Sequence, residues 1–190
     1  MIYEISKNIA LLILKLFFKI EYVGRDSFPK DKRPFILASN HASNIDPFAV
    51  GAGCPHQLTY LAKEELFKNK LGGAYLKRLN VIPLQRGKND LKTMRLALGL
   101  LKTRSLLIFP QGTRSQDLDS FKSGVGFLSK KAGVPVVAAR IEGSGQVLPK
   151  GARFFKSGRV KVTYSPVDTI TELDSYEDIA LKVVEKIKSL

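Results

Sequence analysis

The chain opens on a broad apolar face. On a helical wheel of residues 1–20, Ile2, Ile5, Ile9, Leu12, Ile13, Leu16, Phe17 and Ile20 cover most of the circumference. Glu4, Lys7, Asn8, Lys15 and Lys19 gather within about a third of it, with Leu11 and Phe18 intruding on that polar sector. After residue 20 the pattern changes to alternation. Short apolar runs at 34–39, 58–61, 81–84, 106–109 and 134–139 predict buried strands, and 159–164 predicts a further one. Helical stretches fall at 47–52, 64–79, 89–102, 124–132 and 176–188, the last capped by Asp174 or Ser175. Strands alternating with helices predict one α/β domain, with a largely parallel mixed sheet flanked by helices. No repeat or low-complexity linker divides it.

The first segment is too interrupted to span a bilayer. Its longest apolar run, residues 9–14, is far short of the roughly 20 residues a span requires. Glu4 stands where a secretory signal would be basic, and no small-residue cleavage site follows. An amphipathic helix in the membrane interface, with its basic residues at headgroup level, fits the pattern. The alternative is a terminal helix docked on the chain's own core, since broad apolar faces also suit interiors.

Charge narrows the partners. In 190 residues, 31 Lys and Arg against 17 Asp and Glu leave a net charge of +14, which attracts a polyanion: nucleic acid, anionic lipid or an acidic carrier protein. There is no Trp, and most Phe lie in apolar runs instead of alternating with Arg and Lys, so a nucleic-acid partner is not expected. The hydrophobic fraction of 44% is that of an ordinary globular chain with a core of its own. Cys54 stands alone, so neither an intrachain disulfide nor a thiolate metal cage can form, and a reducing compartment is the simpler expectation.

Candidate chemistry lies in two islands. Asn40-His-Ala-Ser-Asn-Ile-Asp46 holds one of only two histidines, five positions before a carboxylate. Asp46-Pro47 reads as a helix start, with Asp46 at the N-cap. His41 then lies in the preceding loop, where a turn can fold the imidazole back onto the carboxylate. On a single helix residues five apart would diverge by about 140°. Such a pair makes a general base able to activate a substrate hydroxyl. The plainer alternative is a helix cap beside an ordinary loop histidine.

The second island, Phe109-Pro-Gln-Gly-Thr-Arg-Ser115, follows a predicted strand. Gly112 permits a turn whose N–H groups face an anion, and Arg114 adds a fork suited to phosphate. Lys122 precedes a helix start, and Arg86 follows the 81–84 strand. In a parallel sheet these strand exits share one edge.

With these residues in place, the chain resembles the glycerolipid acyltransferase family, and within it the 1-acylglycerol-3-phosphate acyltransferases. Asn40, His41 and Asp46 match its first block, Asn-His-x4-Asp. Residues 109–115 match its third, Phe-Pro-Glu-Gly-Thr-Arg-Ser, except that Gln111 replaces Glu. Residues 80–86 look like the second block, with Asn80 where Gly is usual. Residues 134–139 look like the fourth, with Ala138 where Pro is usual. The likeness runs from about Tyr22 to Val167.

The resemblance implies direct acyl transfer. His41, oriented by Asp46, is the base; Arg86, Gly112, Thr113, Arg114 and Lys122 bind the substrate phosphate; Gln111 lines the acceptor pocket. It implies acyl-CoA or acyl-carrier protein as donor, lysophosphatidic acid as acceptor, phosphatidic acid as product, and no metal or bound cofactor. Together with the pattern and charge of the first segment, the expectation is an anchoring helix at 1–20, an acyltransferase domain at 21–190, and association with an anionic phospholipid surface on the cytoplasmic face. Another lysophospholipid or glycerol 3-phosphate stays open as acceptor. From a different class, so does a non-catalytic basic domain binding lipid or nucleic acid.

Overall fold

The computed structural model describes residues 2–84, 90–112, 114, 121–149, 151–152 and 154–190. Among them the strands are β1 (Glu21–Val23), β2 (Ile36–Ser39), β3 (Leu58–Lys63), β4 (Val81–Leu84), β5 (Ser105–Ile108), β6 (Val136–Glu142) and β7 (Lys161–Pro166). They form one sheet in the order β1-β7-β6-β2-β5-β3-β4. From β6 through β4 neighbouring strands are parallel. At the other edge β7 runs antiparallel to β6, and β1 parallel to β7. The sheet is therefore largely parallel, as the alternation of elements predicts, and the β6–β7 pair makes it mixed.

β2 lies in the middle of this order, and all four of its residues are buried. Its unbroken apolar run is what a strand covered on both faces requires. Ile36 and Ala38 enter a core shared with α4 (Asp90–Leu101), α5 (Gly124–Ala132) and α7 (Tyr176–Ser189). Leu37 points the other way, into a core shared with α1 (Ile2–Phe18) and α2 (Asp46–Gly53). The helices flank both faces.

Some predicted elements change on folding. The helix expected over 64–79 is broken into a 3-10 turn, Glu64–Phe67, and α3 (Lys70–Arg78). Asn69 starts the second piece by accepting the Gly72 N–H at 2.9 Å, the local hydrogen bond that makes Asn a helix starter. Asn80, just after α3, takes a left-handed φ of +59°. Asn tolerates that conformation better than most residues, which accounts for its standing where the family block has Gly. The four-residue α6 (Ser144–Val147) and the three-residue β1 are too short to leave a period in the sequence.

α1 is docked through one stripe. Tyr3, Leu14 and Phe18 are buried against the body. The Tyr3 hydroxyl accepts the Leu58 N–H at 3.0 Å, and the Phe18 carbonyl accepts the Val160 N–H at 3.1 Å. At 100° per residue, Ile5, Ile9, Leu12 and Leu16 fall on the opposite stripe. They are exposed, Leu12 by 58% and Leu16 by 69%. Docking on the chain's own core thus accounts for one side of the helix and leaves the other uncovered. No described helix is long and apolar enough to cross a membrane.

Candidate active site

The two islands leave the sheet from adjacent strands. β2 and β5 pair in parallel with Ala38 opposite Ile108, so the chain departs side by side after Ser39 and at Phe109. Asn40 fixes the first departure. Its amide nitrogen donates to the Ile141 carbonyl and its Oδ1 accepts the Ile141 N–H, both at 2.8 Å. This two-point clamp ties the loop to β6.

His41 comes next, with Nδ1 2.8 Å from Asp46 Oδ2. A carboxylate only accepts, so Nδ1 carries the proton and Nε2 holds the free lone pair. No described residue hydrogen-bonds Nε2. The Phe109 ring stacks on the imidazole, with centroids 4.2 Å apart and planes at 23°. Gln111 Oε1 accepts the backbone N–H of His41 at 2.6 Å. The His41 side chain is 11% exposed, and that of Asp46 is fully buried. The imidazole is shielded from bulk water but not sealed.

Asp46 differs from its expected role as helix cap. α2 begins at Asp46 itself, Ile45 occupies the cap position, and no side-chain cap bond forms. The carboxylate turns back into the loop instead. Oδ2 accepts the N–H groups of Ala42 at 2.6 Å and Ser43 at 2.7 Å as well as facing His41. Those N–H groups lie in a loop pressed against the sheet, and leaving a buried one unpaired costs about 1–3 kcal/mol. One carboxylate thereby shapes the loop and orients the imidazole. Asp46 Oδ1 has no hydrogen-bond partner among the described residues.

The far end of α2 is fastened to the body. Tyr22 Oη donates to the Ala49 carbonyl at 3.0 Å, and Tyr164 Oη to that of Val50 at 2.7 Å. Arg25 donates to the Gly53 carbonyl at 3.0 Å, and Lys7 to that of Cys54 at 2.5 Å. The last carbonyls of a helix need such partners, and cations suit that end of its dipole. Burial pushes the hydroxyls of Tyr22 and Tyr164 upward in pKa, so they persist as donors. Gly51 permits the close fit, because a methyl there would lie 2.1 Å from Tyr60 Oη. Lys7, expected at headgroup level, is thus turned toward the body. Burial also pushes the Cys54 thiol up to about 12.

The second island does turn at Gly112, but the Gly112 N–H closes the turn instead of facing outward to an anion. Gly112 has a φ of +69°, and its N–H bonds the Phe109 carbonyl at 2.9 Å. The Lys122 N–H bonds the Pro110 carbonyl at 3.1 Å. A methyl built on Gly112 would lie 3.9 Å from Lys122 Nζ, so the ammonium sits over the glycine turn. Arg114 is half-buried. Neither it nor Lys122 has an ion-pair partner among the described residues.

The structure thus joins His41, Asp46 and Gln111 and sets Lys122 against Gly112, while no described contact links Arg114 to them. Arg86 and Thr113 lie outside the described residues. The sequence reading missed Phe109, the Asn40 clamp, and Ser43, whose hydroxyl donates to the Leu148 carbonyl at 2.8 Å. None of these contacts has a periodic or spacing signal.

A carboxylate-oriented imidazole thus stands at a parallel strand exit, and the neighbouring exit carries a glycine turn with a lysine over it. The acyltransferase family model matches residues 19–142, and the chain belongs to that family. It is 30% identical over 162 residues to the 1-acyl-sn-glycerol-3-phosphate acyltransferase of Bacillus subtilis, covering 84% of this chain and 79% of that protein. A chloroplastic 1-acyl-sn-glycerol-3-phosphate acyltransferase of Arabidopsis thaliana is 30% identical over 164 residues, but this chain spans only 46% of its length. The crystal structure of the 1-acyl-sn-glycerophosphate acyltransferase PlsC of Thermotoga maritima superposes with a TM-score of 0.81. That protein is 30% identical, with 99% of this chain and 76% of that one covered.

Proposed function

We propose that this chain transfers an acyl group from a thioester donor, acyl-CoA or acyl-carrier protein, to the free hydroxyl of 1-acylglycerol 3-phosphate, yielding phosphatidic acid. The observation that carries this reading is the His41–Asp46 pair, with Nε2 left without a described partner and the ring stacked on Phe109, where the second island begins. His41 Nε2 takes the hydroxyl proton as the acceptor oxygen attacks the thioester carbonyl. The Asp46 carboxylate steadies the imidazolium that forms. The tetrahedral adduct collapses, the carbon–sulfur bond breaks, and the thiol leaves with the proton returned by His41.

No residue of this chain becomes acylated, and no metal or bound cofactor enters the scheme. Lys122, Arg114 and Arg86, with Gly112 and Thr113, hold the acceptor phosphate, which positions the hydroxyl for attack. Gln111 lines the acceptor end of the pocket. Its neutral amide repels a phosphate less than a carboxylate in that place. The uncovered stripe of α1 rests in the cytoplasmic face of an anionic bilayer, where the acceptor resides.

The test is the product. Purified protein with labelled acyl donor and a panel of lysolipids should give labelled phosphatidic acid from lysophosphatidic acid. Label appearing only on a different lysophospholipid, or only on glycerol 3-phosphate, overturns the acceptor assignment. No transfer to any acceptor from either donor overturns the catalytic reading.

A further inference from the structure

The segment between β6 and β7 carries two adjacent phenylalanines at the surface: Phe154 is 84% exposed and Phe155 is 60% exposed. In sequence they are flanked by Lys150, Arg153, Lys156 and Arg159. Phe155 adjoins the aromatic residues that end α1. The Phe155 ring lies 5.3 Å from that of Phe18, which lies 6.3 Å from the exposed ring of Phe17. The Val160 N–H to Phe18 carbonyl bond holds the two segments side by side.

The other end of the segment meets the catalytic loop. Leu148 receives the Ser43 hydroxyl through its carbonyl, and Lys156 closes the base of the segment with a 2.8 Å bond to the Val147 carbonyl. Leu148 therefore contacts the loop bearing His41 and Asp46, and Phe155 the exit of α1.

We propose that Phe154 and Phe155 form a second membrane contact, seated in an anionic lipid bilayer alongside the uncovered stripe of α1. The proposal rests on the reading of α1 as an interfacial helix. An anionic headgroup layer over hydrocarbon matches aromatic rings flanked by cations. A second copy of this chain would instead bring like charges together, at a net charge of +14 on each. Two contacts, one on each side of Phe18, hold the catalytic loop at the depth where a lysolipid presents its phosphate and hydroxyl.

The chain has no Trp, so Phe154→Trp in the full chain supplies a single indole reporter. On vesicles of phosphatidylcholine and phosphatidylglycerol its emission should shift to the blue and be quenched by lipids spin-labelled just below the headgroup. Unchanged emission from protein that co-sediments with the vesicles overturns the proposal and spares the α1 reading. Protein that does not co-sediment overturns both. Acyl transfer to a water-soluble short-chain acceptor, measured on the same preparations, tests the catalytic reading separately.

Phe154→Ser, which breaks no ring contact among the described residues, should weaken vesicle binding on the order of tenfold. Activity on the soluble acceptor should stay unchanged. Undiminished vesicle binding overturns the proposal. So does a lipid-free dimer of the native chain that Phe154→Ser dissociates, because a second copy would then cover the patch.

Discussion

Gln111 and His41 stand 70 positions apart in the chain and are joined by a 2.6 Å hydrogen bond from the histidine N–H to the glutamine Oε1. With Phe109 stacked on the imidazole, the second island supports His41 from both its backbone and its ring. Gln111→Met should leave that buried N–H unpaired and destabilise the fold by about 1–3 kcal/mol. Gln111→Glu keeps an acceptor oxygen and should keep the stability. Thermal melts separate the two variants. In steady-state kinetics, a fall in kcat reports on positioning of His41, and a rise in acceptor KM reports on pocket contact.

His41→Ala should abolish acyl transfer while leaving the melting transition close to native, because the Asn40 clamp, the bond from the His41 N–H to Gln111 and the Asp46 bonds to Ala42 and Ser43 do not involve the ring. Asp46→Asn should lower kcat by roughly two orders of magnitude or more, since Asn can accept the Ala42 and Ser43 N–H groups without stabilising an imidazolium. Near-native turnover in His41→Ala removes it as the base.

Arg114→Ala should raise the KM for a phosphate-bearing acceptor about tenfold or more, with the donor KM little changed. Lys122→Ala should act in the same direction, because its ammonium sits over Gly112. Equal weakening of donor and acceptor would assign Arg114 to the shape of the loop.

Ile9→Ser with Leu12→Ser should weaken vesicle co-sedimentation by an order of magnitude or more while the protein stays folded, since both side chains point away from the body. Removing residues 1–19 outright should unfold it, because Tyr3, Leu14 and Phe18 leave with the helix. Binding of the native chain should weaken with added salt yet persist, as apolar contact is not screened. Circular dichroism beside the sedimentation series distinguishes lost contact from lost fold.

Cys54 should resist alkylation in the native protein at mildly alkaline pH and react promptly on denaturation. It is fully buried, and its thiol is held protonated up to about 12. Rapid modification of folded protein would contradict the packing of α2 against the tyrosines.

Much of this was legible in the sequence because the central strands are covered on both faces. Runs such as Ile36-Leu-Ala-Ser39 need no partner information to be recognised. The His41–Asp46 spacing was equally informative once the pair was placed in a loop. What escaped depends on contacts between distant segments. The antiparallel turn of β7 onto β6 has no local signature, and β1 is stabilised only by pairing with β7. Asp46 next to Pro47 reads as a cap, because the two loop N–H groups that compete for its carboxylate are visible only in three dimensions. The division of α1 into a docked and an outward stripe was hidden for the same reason. Both stripes carry apolar residues, and only the body decides which is which.

The Asn40 clamp on β6 has a consequence for how the site meets its substrates. Both edges of that amide are committed to Ile141, so the residue before His41 has no slack in which to reorient. The ordering of the histidine is done once, during folding, and not again at each turnover. Acceptors should therefore be sorted by how they arrive at a fixed imidazole, through the angle and depth at which a hydroxyl is presented, and not by how far the loop rearranges to receive them.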